Sequence, residues 1–470
     1  MRKLLLCGLC LVLAGTAVMA APLSPDKQAA IRAIVAEARA KAPAPSTSVA
    51  IVVDGELAYA EAFGLANLDP ARPAPPETRY DIASVSKQFT AAAVLLMAQD
   101  GKLSLDDRVG RFFPKLAGAD KVTIRRLLSH TAGYRNSWED TAEERREPIA
   151  PQAVVDRWGA MPLAFEPGSA WDYSNTNYVI AGRIVELVSG QPLAQVLTER
   201  IFKPLGMTSA IDNESAAPTA RDASRYTRNL LGPARPIEPA ARGWAFGAGG
   251  LSMTASDLAR WNTSVLRRSL LAPSSYDAMM RETVLTTGKG AGYGLGLYVD
   301  ASAGHRRVYH NGFAPGVITE SRIYPDDGLA VVVTANAEFG MVVPDIADGV
   351  EKLLAPVAFP RPDTYSEGGK APKPPSSLIR RSVAQLRAGR IDCRRLTRAA
   401  CAYLTPEVLA DYRESLARLG LAQRFVTVNQ EKIGDDDGAM FEMTWPGQKV
   451  IGAIRVRRDG KISDLWLMAF

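Results

Sequence analysis

Apolar residues fill almost every position of residues 88–99, which follow a serine and a lysine three positions apart, Ser84 and Lys87. The run is rich in the strong helix formers Ala, Leu and Met, and it stops at Gly101, a residue that suits a helix C-cap. Apolar side chains on nearly every face are typical of a helix that is buried all round. The pattern therefore predicts a buried helix whose first turn carries Ser84 and Lys87.

Short strand patterns occur near both ends of the first 356 residues. Two of them are joined by Asp54-Gly55, which is a strong hairpin signal. The predicted strands are residues 47–53, 56–63, 306–310, 317–324 and 329–335, and helices are predicted at residues 25–40 and 345–354. Strands at both ends of a helical middle predict an α+β fold, in which the N- and C-terminal strands pair in an antiparallel sheet flanked by helices.

A segment rich in Pro, Gly and Lys at residues 357–376 predicts a linker, so residues 25–356 and 377–470 should form two domains. After it come predicted helices at residues 378–388 and 406–419 and predicted strands at residues 424–431, 439–445, 450–457 and 462–468. Two helices before a strand meander predict a small α+β accessory domain. We expect Phe441, Trp445 and Trp466 in its core rather than in a binding site.

The N-terminus has the features of an export signal. Arg2 and Lys3 precede an apolar core at residues 4–18, and small residues end at Ala20. These features predict a signal peptide at residues 1–20 and a periplasmic or secreted protein. No second apolar run of about 18 residues follows, so we expect no membrane anchor after cleavage.

Charge and cysteine content exclude several classes of partner. Removal of the two basic residues of the signal peptide lowers the formal net charge from +6 to +4, and the remaining basic residues are spread along the chain. A nucleic-acid surface is therefore not predicted; the expected partner is a small-molecule or peptide substrate, with the oligomeric state left open. Cys393 and Cys401 remain and predict one local disulfide, whereas three histidines supply too few metal ligands. We expect neither a metal nor another cofactor.

The pair Ser84 and Lys87 has the spacing of a nucleophile and its base. Residues i and i+3 share a helix face, and the helix N-terminus offers N–H groups to an anion. A lysine acts as a base only when it is neutral, which a buried site favours because desolvation lowers a lysine pKa. The same spacing recurs at Ser24 and Lys27 in an otherwise unremarkable segment, and a helix cap and a solvated side chain would also account for Ser84 and Lys87. Other motifs in the chain must therefore decide whether Ser84 and Lys87 are a catalytic pair.

The tripeptide Tyr-x-Asn occurs three times, and only Tyr173-Ser174-Asn175 lies in a turn-rich loop, at residues 166–178. This loop leads into a predicted helix at residues 179–188. A loop held between a turn and a helix can position a phenol and an amide rigidly. Tyr173 would then move protons, and Asn175 would donate a hydrogen bond to the substrate.

His310-Asn311-Gly312 is predicted to end a late strand. Gly312 would let the backbone approach a ligand closely, and a strand edge offers the N–H groups that an oxyanion needs. A lone histidine beside a glycine is otherwise an ordinary loop residue, so this motif gains its meaning from the other two.

Together these motifs resemble the serine β-lactamase and penicillin-binding protein superfamily, nearest to class C β-lactamases, D-alanyl-D-alanine carboxypeptidases and related esterases. The resemblance covers about residues 28–356, with supporting runs at residues 127–133, 204–207, 249–258 and 293–297. It implies an acyl-enzyme on Ser84, proton transfer by Lys87 and Tyr173, and an oxyanion hole formed by the N–H groups of Ser84 and Phe313. It also implies that Asn175, His310 and Gly312 bind substrate, and it assigns His130 to a structural loop.

The third motif departs from the Lys-Thr-Gly of many family members. A permanent cation is replaced by His310, which is mostly neutral above pH ~6.5. This change favours a peptidase or an esterase; a true β-lactamase and a weakly catalytic cell-wall peptide-binding protein remain the alternatives. If His310 works mainly as a neutral hydrogen-bond partner, kcat/KM on a neutral ester should rise through about pH 6 to 7, as the titration of a histidine requires, and then level off.

Overall fold

The computed structural model describes residues 22–139, 144–361, 376–433 and 436–469. The predicted signal peptide and residues 362–375 of the predicted linker lie outside these ranges. The helices are α1 Pro25–Lys41, α2 Lys87–Gln99, α3 Ile124–Leu128, α4 Pro151–Trp158, α5 Asn175–Ser189, α6 Leu193–Leu197, α7 Ala255–Arg267, α8 Pro273–Met280, α9 Val342–Leu354, α10 Ser376–Arg387, α11 Arg398–Tyr403 and α12 Pro406–Leu419.

The strands are β1 Ser46–Val53, β2 Glu56–Leu68, β3 Ala71–Pro73, β4 Tyr80–Asp81, β5 Ile211–Asp212, β6 Tyr226–Thr227, β7 Arg235–Pro236, β8 Leu251–Met253, β9 Tyr298–Ser302, β10 His305–Ala314, β11 Val317–Tyr324, β12 Leu329–Ala335, β13 Arg424–Ile433, β14 Asp436–Trp445, β15 Gln448–Val456 and β16 Ile462–Ala469. No helix among the described residues combines the length and apolar character that crossing a bilayer requires.

A seven-stranded antiparallel sheet organises the N-terminal part, in the order β3-β2-β1-β12-β11-β10-β9. Strand β1 pairs with β12, as predicted for the two ends of the unit. Helices α1 and α9 pack on one face, and α7 packs on the other, against β1 and β12. The predicted α+β class, with an antiparallel sheet flanked by helices, is confirmed.

Helix α2 lies in the middle of the helical part. Every residue from Lys87 to Met97 is buried, as the apolar run predicted. Its main helical neighbour is α5, and the contact joins the Ser84 region to the helix that follows Tyr173. The side chain of Lys87, at the start of α2, therefore lies in a buried part of the molecule.

The C-terminal part contains a four-stranded sheet in the order β13-β14-β15-β16, and Cys393 and Cys401 form a disulfide. Phe441 and Trp445 are buried in its core. Trp466 is only partly buried. It stands on the face of β16 opposite to its buried neighbours because side chains alternate along a strand.

The core of the C-terminal part also contains a residue from the N-terminal part. Leu230, at the tip of the hairpin formed by β6 and β7, is 1% exposed and packs in the cluster of Ile379, Tyr412 and Phe441. The two parts therefore share apolar contacts across the predicted boundary.

Two elements near the site differ from the sequence expectation. Strand β10 continues to Ala314, so the His310 motif lies inside the strand rather than at its end. Helix α5 begins at Asn175, four residues before the predicted start. Both differences place motif residues on regular backbone, where neighbouring elements fix their directions.

Candidate active site

Ser84 lies in a tight turn, Ala83–Ser86, that leads into α2. Ala83 has a φ of +44°, in the left-handed region that a residue with a Cβ enters only when its surroundings hold it there. Its N–H donates to Asp81 Oδ1 at 2.6 Å. Ser84 is partly exposed between buried neighbours. The turn thus presents one hydroxyl at the surface of an otherwise closed segment.

Lys87 is fully buried, and its Nζ lies 3.2 Å from Ser84 Oγ. The same nitrogen lies 2.7 Å from Asn175 Oδ1 and 2.7 Å from the carbonyl oxygen of Ala248. These two oxygens can only accept hydrogen bonds, so they use two hydrogens of the amine. In a neutral amine the lone pair is then left for the Ser84 hydroxyl. This arrangement suits a lysine that acts as a base.

Tyr173 completes the cluster predicted from the motifs. Lys87 Nζ lies 4.8 Å from the centroid of its ring, and the ring packs on His130 with centroids 4.3 Å apart. The structure therefore brings Ser84, Lys87 and Tyr173 together. Their catalytic roles stay predictions.

Asn175 has a more internal position than a simple substrate donor. As the first residue of α5, it accepts from Lys87 through Oδ1 and donates through Nδ2 to Asn136 Oδ1 at 3.1 Å. Asn136 also accepts from the backbone N–H of Asn175 at 3.1 Å. The amide is thus fixed as a partner of the lysine. Since Nδ2 carries two hydrogens, donation to a substrate stays a prediction.

His310 is buried and points towards the same cluster. Its Nδ1 donates to the carbonyl oxygen of Asn311 at 2.7 Å, which leaves Nε2 to accept from the hydroxyl of Tyr293 at 3.0 Å. Burial and the nearby Lys87 lower the pKa of His310 to about 3. The histidine is therefore neutral at physiological pH, and a rise of activity between pH 6 and 7 is not expected from its titration.

Burial of a neutral His310 should make the fold sensitive to acid. Its pKa in the folded state lies below the ordinary value of about 6.5, so the unfolded chain binds the proton more tightly. Stability should fall as pH drops from about 6.5 towards 3, by roughly 1.4 kcal/mol per pH unit for this residue. We expect His310→Gln to reduce that slope, measured by denaturant unfolding at pH 4, 5, 6 and 7. An identical slope in wild type and variant would contradict a neutral His310.

Strand β10 lies directly against the turn of Ser84, Ala83–Ser86, at Gly312. A Cβ added there would lie 2.2 Å from the carbonyl oxygen of Ile82, so only glycine allows this approach. Phe313 follows Gly312 in β10, so its backbone lies beside the same turn. The oxyanion hole, to which Phe313 would contribute only its backbone N–H, stays a prediction.

Three further residues support the site: His130, which the resemblance assigned to a structural loop, and Asn136 and Tyr293, which the motifs did not predict. His130 is buried and accepts from the N–H of Ser174 through Nδ1 at 3.2 Å, next to the Tyr173 ring. Asn136 holds Asn175, and Tyr293 holds His310. Asn136 belongs to one of the two Tyr-x-Asn tripeptides that were not selected as site candidates. His130 and Tyr293 lie in the supporting runs, which carried no chemical assignment.

Comparison with known proteins identifies the wider group. The family model described as Beta-lactamase matches residues 31–355. Penicillin-binding protein 4* of Bacillus subtilis (strain 168) is 28% identical over 300 residues, which cover 60% of this chain and 66% of that protein. A D-aminopeptidase of Cereibacter sphaeroides (strain ATCC 17029 / ATH 2.4.9) is 31% identical over 298 residues, which cover 61% of this chain and 56% of that protein. The matches thus span less than two thirds of each relative.

A solved structure shows the same fold. The D-stereospecific amidohydrolase from a Streptomyces species superposes with a TM-score of 0.59 and 25% identity, covering 71% of this chain and all of that one. The region matched by the family model contains the seven-stranded sheet, the buried helix α2 and the motif residues described above. The chain therefore belongs to the Beta-lactamase family.

Proposed function

We propose that this protein is a serine hydrolase that cleaves amide bonds in D-amino-acid peptides or amides through an acyl-enzyme on Ser84. The observation that carries the proposal is the position of Lys87 Nζ, 3.2 Å from Ser84 Oγ and held by two oxygens at 2.7 Å. The D-aminopeptidase and the D-stereospecific amidohydrolase among its relatives support this substrate class.

The proposed reaction has two steps. In the first, Ser84 Oγ attacks the substrate carbonyl while its proton passes to Lys87, and the oxyanion accepts from the N–H groups of Ser84 and Phe313. Tyr173, next to the lysine, passes the proton to the leaving amine. In the second step, water gives a proton to Lys87 and attacks the ester carbonyl. The bond to Ser84 Oγ then breaks, the acid leaves, and Lys87 returns the proton to Oγ, which restores both residues.

The His310-Asn311-Gly312 motif limits the classes of substrate that fit the site. A neutral, buried His310 offers no permanent charge to a carboxylate beside the scissile bond. This favours amides, aminopeptidase substrates and esters over β-lactams and peptides that end in a free carboxylate. Penicillin-binding protein 4* is similar to this chain as well, so a cell-wall peptide is the second candidate of the same reaction class.

The proposed place of action is the periplasm or the medium. It rests on the signal-peptide pattern of residues 1–20. Such a location would give the enzyme access to cell-wall peptides and to extracellular amides.

A substrate series tests the proposal. We expect kcat/KM to be at least tenfold higher for a D-amino-acid amide than for the matching dipeptide with a free carboxylate, because one hydrogen bond to a charged group is worth roughly 1.5 to 3 kcal/mol. L-amino-acid amides, a small ester and nitrocefin complete the series. Faster turnover of nitrocefin, or equal rates for D and L amides, would overturn the assignment.

A further inference from the structure

The C-terminal part binds the hairpin of β6 and β7 through polar and apolar contacts. Asp411 of α12, whose side chain is 8% exposed, accepts from Nε and Nη2 of Arg235, both at 2.8 Å. It also accepts from Asn229 Nδ2 at 3.1 Å. A bidentate pair fixes orientation as well as distance. Together with the buried Leu230, it holds the hairpin by charge and by apolar packing.

The other end of the hairpin reaches the nucleophile turn. Arg225, directly before β6, forms an ion pair with Asp81 and donates through Nη1 to the carbonyl oxygen of Pro315 at 3.3 Å. The N–H of Ile237 donates to the Arg225 carbonyl at 3.1 Å, which extends the hairpin ladder to this residue. The Asp81 carboxylate in turn accepts from Ala83 N. One carboxylate therefore joins the hairpin to the turn of Ser84.

A second connection reaches the strand beside the turn. Glu338 accepts from Thr227 Oγ1 at 2.6 Å and from the N–H of Gly316. Gly316 belongs to the turn that follows β10, the strand of the predicted oxyanion donor. Through Asp81 and Glu338 the hairpin is thus connected to the turn of Ser84 and to the turn that follows β10.

We propose that Asp411 is a positioning residue, through which the C-terminal part holds the hairpin and, by way of Arg225, the backbone of Ser84. The left-handed conformation of Ala83 persists only while its contacts hold it, and Asp81 supplies one of them. If the hairpin loosens, Asp81 shifts and the turn relaxes. A misplacement of about 1 Å at a reacting group can cost about 100-fold in rate. The inference rests on the proposed role of Ser84.

The test uses the full-length protein and a fluorophosphonate that labels the nucleophile. We expect Asp411→Ala to lower the acylation rate constant roughly 5- to 50-fold, below the 100-fold limit for a 1 Å error, while probe affinity stays unchanged. Arg235→Ala removes the other partner of this ion pair, which is the more exposed of the two, and should lower the acylation rate constant by a similar factor. Glu442→Ala is the matched control, because it removes an ion pair with Lys449 inside the C-terminal sheet. Circular dichroism at the assay temperature confirms that each variant is folded.

A double substitution tests the route. Arg225→Met should lower the acylation rate by itself, and adding Asp411→Ala to it should cause no further fall, because both act through one chain of contacts. Wild-type rates in Asp411→Ala and Arg235→Ala, or effects that simply multiply in the double variant, would overturn the inference. Either outcome would overturn only this inference and would leave the proposed function unaffected. A wild-type protein that is not labelled at Ser84 would instead overturn that function and this inference with it.

Discussion

Ser84→Ala should abolish covalent labelling by a fluorophosphonate and lower kcat by about 10⁴-fold or more, as removal of a covalent nucleophile does in other serine hydrolases. The substitution removes one hydroxyl, whose described contact is with Lys87 Nζ at 3.2 Å. The turn and α2 should keep their structure. Peptide mapping of the labelled wild-type protein identifies the acylated residue.

The chain supplies its own control for this experiment. Ser24 and Lys27 repeat the spacing of the active pair, but Ser24 caps α1 and its hydroxyl accepts from the backbone of Lys27 at 3.4 Å. Ser24→Ala should therefore leave the labelling rate unchanged. Retained labelling in Ser84→Ala would remove the nucleophile from the proposed reaction.

Glu351→Ala should cause one of the largest losses of stability among single substitutions. This carboxylate is 5% exposed and accepts from Arg307 Nη1 at 2.9 Å and from Arg322 Nη1 at 3.1 Å. Both arginines are buried. Breaking a buried ion pair leaves uncompensated charge and costs about 3 to 5 kcal/mol. Asp300 and Glu320 still pair with the arginines, so we expect the lower part of that range.

Thermal denaturation measures this loss as a fall of several degrees in the midpoint. Glu37→Ala is the control, because Glu37 pairs with Lys41 on the exposed surface of α1. Its removal should leave the midpoint unchanged within error, since surface ion pairs contribute little. Equal midpoints for wild type and Glu351→Ala would show that the buried network does not stabilise the sheet.

Turn residues explain why the strands could be located from the sequence. Asp54-Gly55 joins β1 and β2, and Gly328 precedes β12 closely. Such residues interrupt apolar runs sharply, so strand ends fell within a few positions of the observed ones. The exceptions were β2, which ends at Leu68 instead of residue 63, and β10, which ends at Ala314 instead of residue 310. The continuation of β10 through Gly312 depends on pairing with β11, which local composition does not reveal.

The site residues divide in the same way: some are predicted by local motifs, and others depend on contacts with distant parts of the chain. Ser84, Lys87 and Tyr173 came from motifs with a chemical meaning. The early start of α5 was missed because Ser174 and Asn175 are polar residues typical of loops, and packing on α2 decides their structure. Asn136 and Tyr293 were missed because their importance comes only from the side chains they meet. The neutral state of His310 likewise depends on burial, which one sequence does not give.

The closure of the large sheet determines when this enzyme can become active during its synthesis. Ser46 at the start of β1 donates its N–H to Asn336 Oδ1, 290 positions later. Pairing over such a separation is slow, because the loop must close before its contacts form. Helix α2 can form early, but β10 leaves the ribosome long after Lys87 does. A nascent chain should therefore carry the proposed nucleophile before the predicted oxyanion site has formed, and acylation should be among the last properties that the folding protein acquires.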